Sequence, residues 1–226
     1  MDNSFEQIYS VIGAEIDRDG LQNIFALINP LEQKQIFGAC SRLHLVDSIQ
    51  KTKANYDSWA LINADALQIY LLCTCLDALA DQSAGVNKRI KNLIFGLPQP
   101  LKHALITSYA IVKEPIENIA HWDGMSGEDR LQRVFEYIYK LRRNTFTHQA
   151  EILPSAFSVK GLIGYTLFIP PGIWEDNSVY FCHQSVQHSE PTLLRLIIIG
   201  KIRKMLRLTI DDEFVSYYWQ NLRSFL

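Results

Sequence analysis

The stretch SGEDRLQRVFEYIYKLRRNTFTH, residues 126–148, decides how this chain is read. Ser126 or Gly127 stands where a helix opens, and Glu128 and Asp129 place negative charge on its first turn, where the helix dipole favours it. Leu131, Val134, Phe135, Ile138 and Leu141 then recur at helical spacing as one apolar stripe on an otherwise polar helix. The pattern ends near His148, because Pro154 disfavours helix close before it. Such a stripe has to be buried against other elements, and the segments on either side predict mostly helices.

Upstream, Ser4 is placed to cap a helix carrying Phe5, Ile8, Tyr9, Ile12 and Ile16, with Asp19-Gly20 as its end. Asp19 or Gly20 opens a short segment through Leu21, Ile24, Phe25 and Ile28, which Asn29-Pro30 stops. From Leu31 to about Ile62 the apolar positions Ile36, Phe37, Leu43, Val46, Ile49, Tyr56 and Trp59 fit two helices or one bent helix. Asn63 or Asp65 begins the segment Ala66–Ala80, apolar nearly all round as a central buried helix would be, with Asp77 as the exception. A basic stretch (Lys88, Arg89, Lys91) leads to the breaker Gly96-Leu97-Pro98 and a helix from Pro100 to about Val112.

Downstream, residues 155–188 change period. Phe157, Val159, Leu162, Tyr165, Leu167 and Ile169, then Val179-Tyr180-Phe181, with Pro170-Pro171-Gly172 and Asp176-Asn177 between, predict a small β-like hairpin. Glu190-Pro191 opens a helix through Leu208, and Asp211 caps a last one ending at Leu226. No repeat or linker divides the chain. The expectation is one mainly α domain over residues 1–226, with N-terminal helices at 4–60 and the hairpin inserted at 155–188.

Of the 226 residues, 48% are apolar and 20% charged, which suits a packed core and argues against disorder. A net charge of −2 gives no chain-wide attraction to nucleic acid or anionic membrane, so polyanion binding requires a local basic patch. Apolar runs such as Ile197–Ile199 and Leu71–Cys73 fall far short of the ~20 residues that span a bilayer. The first residues lack the basic-then-apolar order of a secretory signal. Cys40, Cys73, Cys75 and Cys182 do not form a disulfide framework. A cytoplasmic protein without a membrane partner is expected.

Arg143 and Asn144 precede His148 at the end of the decisive helix. At about 100° per residue Asn144 and His148 share a face, while Arg143 lies about 140° from His148. Arg143 has to reach round, use a distortion at the helix end, or meet the histidine of a second copy. The three side chains suit phosphodiester chemistry without a metal. An imidazole titrating near neutrality moves the proton of a 2′-hydroxyl or a leaving oxygen. A guanidinium fork holds a phosphate whose charge grows in the transition state, and an amide orients either group.

Tyr137-Ile-Tyr-Lys-Leu-Arg-Arg-Asn-Thr-Phe-Thr-His148 resembles the Arg-Asn-x-x-x-His signature of HEPN domains, in its usual place at the end of a long amphipathic helix. The apolar segment Leu67–Leu79 with its single acid is similar to the HEPN helix before it. The resemblance covers about residues 60–210 and is strongest over 128–150. It implies a helical bundle of HEPN type that dimerises and acts as a metal-independent endoribonuclease in a toxin, abortive-infection or antiphage (antiviral defence) role. Catalysis would fall to Arg143, Asn144 and His148, with RNA, a second copy, and an antitoxin or regulatory protein as partners and no cofactor. Other family members have lost catalysis, so the alternative is a HEPN module binding RNA or a protein partner. HEPN toxins paired with a nucleotidyltransferase commonly carry a tyrosine two places after the histidine; Ala150 stands there, against that mode of neutralisation.

Competing readings stand beside these. Arg143 and His148 at a helix C-terminus also fit a solvated end that complements the dipole. Asp77 is either a buried acid behind Arg143 or His148, or a polar residue facing a loop. Cys73-x-Cys75 on a helix points two ways, which is core packing rather than a metal site. Cys182-His183 and His188 lack a suitably spaced fourth ligand, so no metal is expected. Lys140 and Arg142, with Lys201, Arg203, Lys204 and Arg207 on the polar side of their helix, are either a wet surface or contacts to RNA phosphates.

Overall fold

The structure is a computed structural model that describes residues 3–12, 17–52, 58–113, 124–136, 138–139, 166–168, 179–183 and 190–221. It is mainly helical, and several of its helices begin where a short polar side chain takes up a free backbone N–H group. Helix α1 spans Asn3–Ile12 and α2 Arg18–Leu27. Asp17 opens α2 by accepting the Gly20 N–H at 2.7 Å, so Asp19-Gly20 lies in the first turn of a helix rather than between two. Asn29 caps α3, Pro30–Thr52. Its Oδ1 accepts the Glu32 N–H at 2.9 Å and its amide donates to Glu32 Oε2 at 2.7 Å, with Pro30 at the first helical position. The Asn29-Pro30 stop signal is thus also a start signal.

Helix α4, Ser58–Leu79, begins ahead of the expected Asn63 or Asp65, so the stretch 31–62 divides between two helices. Helix α5 is Val86–Phe95 and α6 is Gln99–Thr107. The helix expected to reach Val112 stops five residues earlier, where Ser108 Oγ bonds back to the Ala104 carbonyl at 2.7 Å. Tyr109–Lys113 is instead strand β1. Ser126 caps α7, Gly127–Phe135: its Oγ accepts the Asp129 N–H at 3.1 Å and donates to Asp129 Oδ2 at 2.7 Å. Strands β2, Thr166–Phe168, and β3, Val179–His183, pair antiparallel with Thr166 opposite Cys182. Strand β3 also pairs with β1, giving the order β1-β3-β2. The rest of the expected hairpin at 155–188 lies outside the described residues, as do Ile16, Tyr56 and the chain end after Asn221.

Helix α8, Glu190–Met205, is the centre. Leu193 through Gly200 are all buried, and the helix packs on α1, α3, α4 and α6. A Cβ on Gly200 would lie 3.3 Å from Leu101 Cγ and closer still to its methyls, so only glycine lets α8 and α6 approach this far. Helix α4 is less enclosed than its composition suggests: Leu72, Cys73, Cys75 and Leu76 are buried, but Leu67 is 38% exposed. The expected end of α8 at Leu208 is shortened by a reversal at Arg207, which adopts φ 57°. Arg207 N–H bonds the Lys204 carbonyl at 3.1 Å and Leu208 N–H bonds the Arg203 carbonyl at 2.9 Å, a closure that usually employs glycine. Asp211 then caps α9, Asp212–Gln220, accepting the Phe214 N–H at 2.8 Å. Among the described residues no helix is long and apolar enough to cross a membrane.

A charged pair lies inside this core. The Arg195 guanidinium on α8 grips Asp47 of α3 with both Nη atoms, Nη2 to Oδ2 at 3.1 Å, and only 3% of the Arg195 side chain is exposed. Burial pushes the Asp47 carboxyl above its usual range, outweighing the pull of Arg195. Removing one member strands the other, at a cost of about 3–5 kcal/mol. Asp47→Leu and Arg195→Met are each expected to lose that much in urea unfolding, and the double variant to recover most of it. The sign for pH follows from the raised carboxyl. Its stabilising contribution is present below the unfolded value and is lost as pH rises through the folded one, a decline that Asp47→Asn should remove.

Candidate functional site

The reacting groups expected from the sequence, Arg143, Asn144 and His148, lie outside the described residues, and so do Lys140 and Arg142. What is described is the stem that leads to them. After Phe135 the regular α7 gives way to π-helical geometry at Glu136, Ile138 and Tyr139. Such turns admit an extra residue, break the i→i−4 pattern and occur frequently at functional sites.

Helix α4 holds this turn at two points. Cys73 Sγ donates to the Ile138 carbonyl at 3.9 Å, and Tyr139 Oη donates to Asp77 Oδ1 at 3.2 Å. Cys73 and Asp77 are four apart and share a face of α4, which is why both meet the same turn. Tyr139 is only 2% exposed and stacks on Phe135 with ring centroids 5.8 Å apart. Of the two readings open for Asp77, the described geometry gives it Tyr139, four residues before Arg143; its relation to Arg143 and His148 lies outside the described residues. Cys75, on the other side of α4, reaches the Ala39 carbonyl at 3.6 Å, and burial pushes its thiol up to about 12. Cys73-x-Cys75 is therefore two packed thiols with separate partners.

Beside Asp77 the surfaces of α3 and α4 open into a cleft of about 800 Å³. Lys34, Phe37, Arg42, Asp77, Gln82 and Arg89 are among its lining residues. Arg42 Nη1 donates to the Gly38 carbonyl and Arg89 Nη1 to Gln82 Oε1, each at 2.8 Å, so both guanidinium groups are held on the wall. Neither Lys34 nor Arg42 belongs to a charge run, so sequence reading passed over them. Only spatial convergence marks them.

The four cations expected on the polar side of α8 separate. Arg203 turns inward: it is 4% exposed, donates through Nε and Nη2 to the Thr209 carbonyl at 3.1 and 3.0 Å, and stands 4.3 Å from the Phe214 ring centroid. Arg203 therefore fastens α9 to α8 and is withdrawn as an RNA contact. Lys201, Lys204 and Arg207 line a second hollow of about 250 Å³ together with Glu32. Lys204 Nζ donates to the Gly96 carbonyl at 2.8 Å. Burial, and then the charge of Lys204, push the Lys201 ammonium below its usual range.

No family model, curated protein or solved structure matches this chain. The tie between α4 and the π-helical turn has its own test. Tyr139→Phe should lower stability by about 0.5–1.5 kcal/mol, and Asp77→Ala by about 1–3 kcal/mol, because it takes an acceptor from a buried hydroxyl. Joined in one chain, the two losses should sum to less than their separate values in urea unfolding, since they share one bond.

Proposed function

We propose that this chain is a metal-independent endoribonuclease of HEPN type that works as a homodimer in a toxin or antiphage role. The observation that carries the reading is the Arg143-Asn144-x-x-x-His148 spacing at the end of an amphipathic helix. Two features of the stem support it. The helix departs from α geometry shortly before Arg143, and a carboxylate of helix α4 is tied to Tyr139 on that same turn.

In this reading His148 accepts the proton of the ribose 2′-hydroxyl as O2′ attacks the adjacent phosphorus. The bond from phosphorus to the 5′-oxygen breaks, and that oxygen takes a proton from an imidazolium. Whether one histidine serves both steps or two copies each supply one, the products are a 2′,3′-cyclic phosphate and a 5′-hydroxyl. Arg143 stabilises the phosphorane-like charge with its planar fork, and Asn144 positions the imidazole or a phosphate oxygen. The separation of about 140° between Arg143 and His148 on a regular helix supports pairing of two copies, each bringing its set to one cleft.

The test is incubation of the purified chain with mixed RNAs in EDTA. Cleavage is expected, with cyclic-phosphate ends and a rate that changes around the ordinary imidazole value near ~6.5. His148→Ala should abolish it. Arg143→Lys should lose about 10²-fold or more in kcat with a smaller change in RNA affinity, because a point charge does not reproduce the fork. Cutting of a 2′-deoxy substrate at the same bond, or activity that requires magnesium, would overturn the mechanism. RNA binding by a folded dimer that cuts nothing would replace the enzyme with a binding module.

A further inference from the structure

The cleft beside Asp77 and the hollow at the end of α8 both reach the start of α3, at successive residues. Leu31 lines the first, and Glu32, the next residue on α3, lines the second. Asp81, just past the end of α4, lies within electrostatic reach of Arg89 in the cleft and Lys201 in the hollow. Ser83 holds its carboxyl below the usual range through a backbone N–H at 2.9 Å and a hydroxyl at 2.7 Å. Six cations (Lys34, Arg42, Arg89, Lys201, Lys204, Arg207) thus line these two neighbouring depressions, against Asp77 and Glu32 in their linings and Asp81 within their electrostatic reach. A net +3 is gathered here on a chain whose total is −2.

We propose that this surface is a track for single-stranded RNA, leading the nucleotides that flank the scissile bond from the Asp77 end, next to the motif-bearing helix, out to Arg207. It rests on the ribonuclease reading and names the form of its substrate. The charge distribution fits phosphates, and lysines and arginines spread along a path read the backbone without reading sequence. The cleft floor is apolar as well as basic: Leu31 is 60% exposed, and half-buried Phe37 offers a ring that bases can stack on. Unpaired bases present apolar faces to such a floor, whereas a duplex keeps them stacked inside. Arg207 is the informative residue, because it holds a left-handed φ of 57° that glycine adopts at no steric cost.

The experiment uses the full chain carrying His148→Ala, so that bound RNA stays whole, and a fluorescent 12-nucleotide unstructured RNA read by anisotropy. Lys34→Gln and Arg207→Gly are added singly and together; Lys34 is exposed on α3 and takes no part in the core. Each is expected to weaken binding roughly 3–10-fold and to flatten the slope of log affinity against log salt by about 0.7, the value for one lost contact to a single strand. Arg207→Gly should at the same time unfold at a higher temperature, so that stability and affinity move in opposite directions, which a folding defect does not produce. Affinity in the double variant within two-fold of the parent would overturn the track, as would a perfect duplex of the same sequence binding more tightly than the single strand. The two readings fail separately. RNA cleavage by the unmodified chain with no effect of the track substitutions removes the track and keeps the nuclease. Track-dependent binding by a chain that cuts nothing keeps the track and removes the nuclease.

Discussion

Arg195 carries a full charge into a helix that is walled in by four others, and only Asp47 of α3 makes that tolerable. Taking an ion out of water costs several kcal/mol, which the pair offsets only when both nitrogens meet both oxygens. A rotation of α8 by one residue, about 100°, would swing the guanidinium away from Asp47. The pair therefore sets the register of α8 on α3, and with it the surfaces on which α4 and α6 settle. Tyr218 of α9 packs beside it, its hydroxyl held by the Thr192 carbonyl at 3.0 Å. Arg195 Nε finds no acceptor among the described residues, so the geometry favours this one partner without being complete.

That register has a functional side. Helix α4 is fixed on one flank by α3 and α8, and its Cys73–Asp77 face is turned towards the stem of the motif-bearing helix. Helix α3 carries both the carboxylate of the buried pair and the cleft residues Lys34, Phe37 and Arg42. The interior salt bridge and the basic cleft are thus two faces of a single helix, and displacement of one would displace the other.

Much of this architecture was legible because short-range chemistry decides it. Ser126 and Asp211 precede acidic first turns and apolar periodicity, and both cap as their sequence indicates. Asn29-Pro30 was legible only as a boundary: a cap and a breaker look alike until the reciprocal bond to Glu32 is seen. Strand β1 was not legible, because Tyr109–Lys113 is short and its partner Val179–His183 is far along the chain. Arg203 was misjudged for a similar reason, since the Thr209 carbonyl and Phe214 that draw it inward come after the chain reverses at Arg207. For the site, Arg143, Asn144 and His148 are proposed from chemistry and spacing alone, since they lie outside the described residues. The convergence of Lys34, Arg42 and Arg89 from α3 and α5 on the cleft was not legible, since only the fold brings them together.

The place of α8 in the chain bears on when the core can exist at all. Ile8, Ile36 and Leu72 are buried, but the central helix against which α1, α3 and α4 pack runs only from Glu190. At ~5–20 residues per second, a nascent chain would wait roughly 10–40 s between making Ile8 and making Leu206. During that interval α1, α3 and α4 can pack on one another but lack the face that α8 supplies, and β1 waits for β3. Contacts of such sequence separation are slow to form even in the released chain. The core is therefore completed only once residues 190–205 have been made.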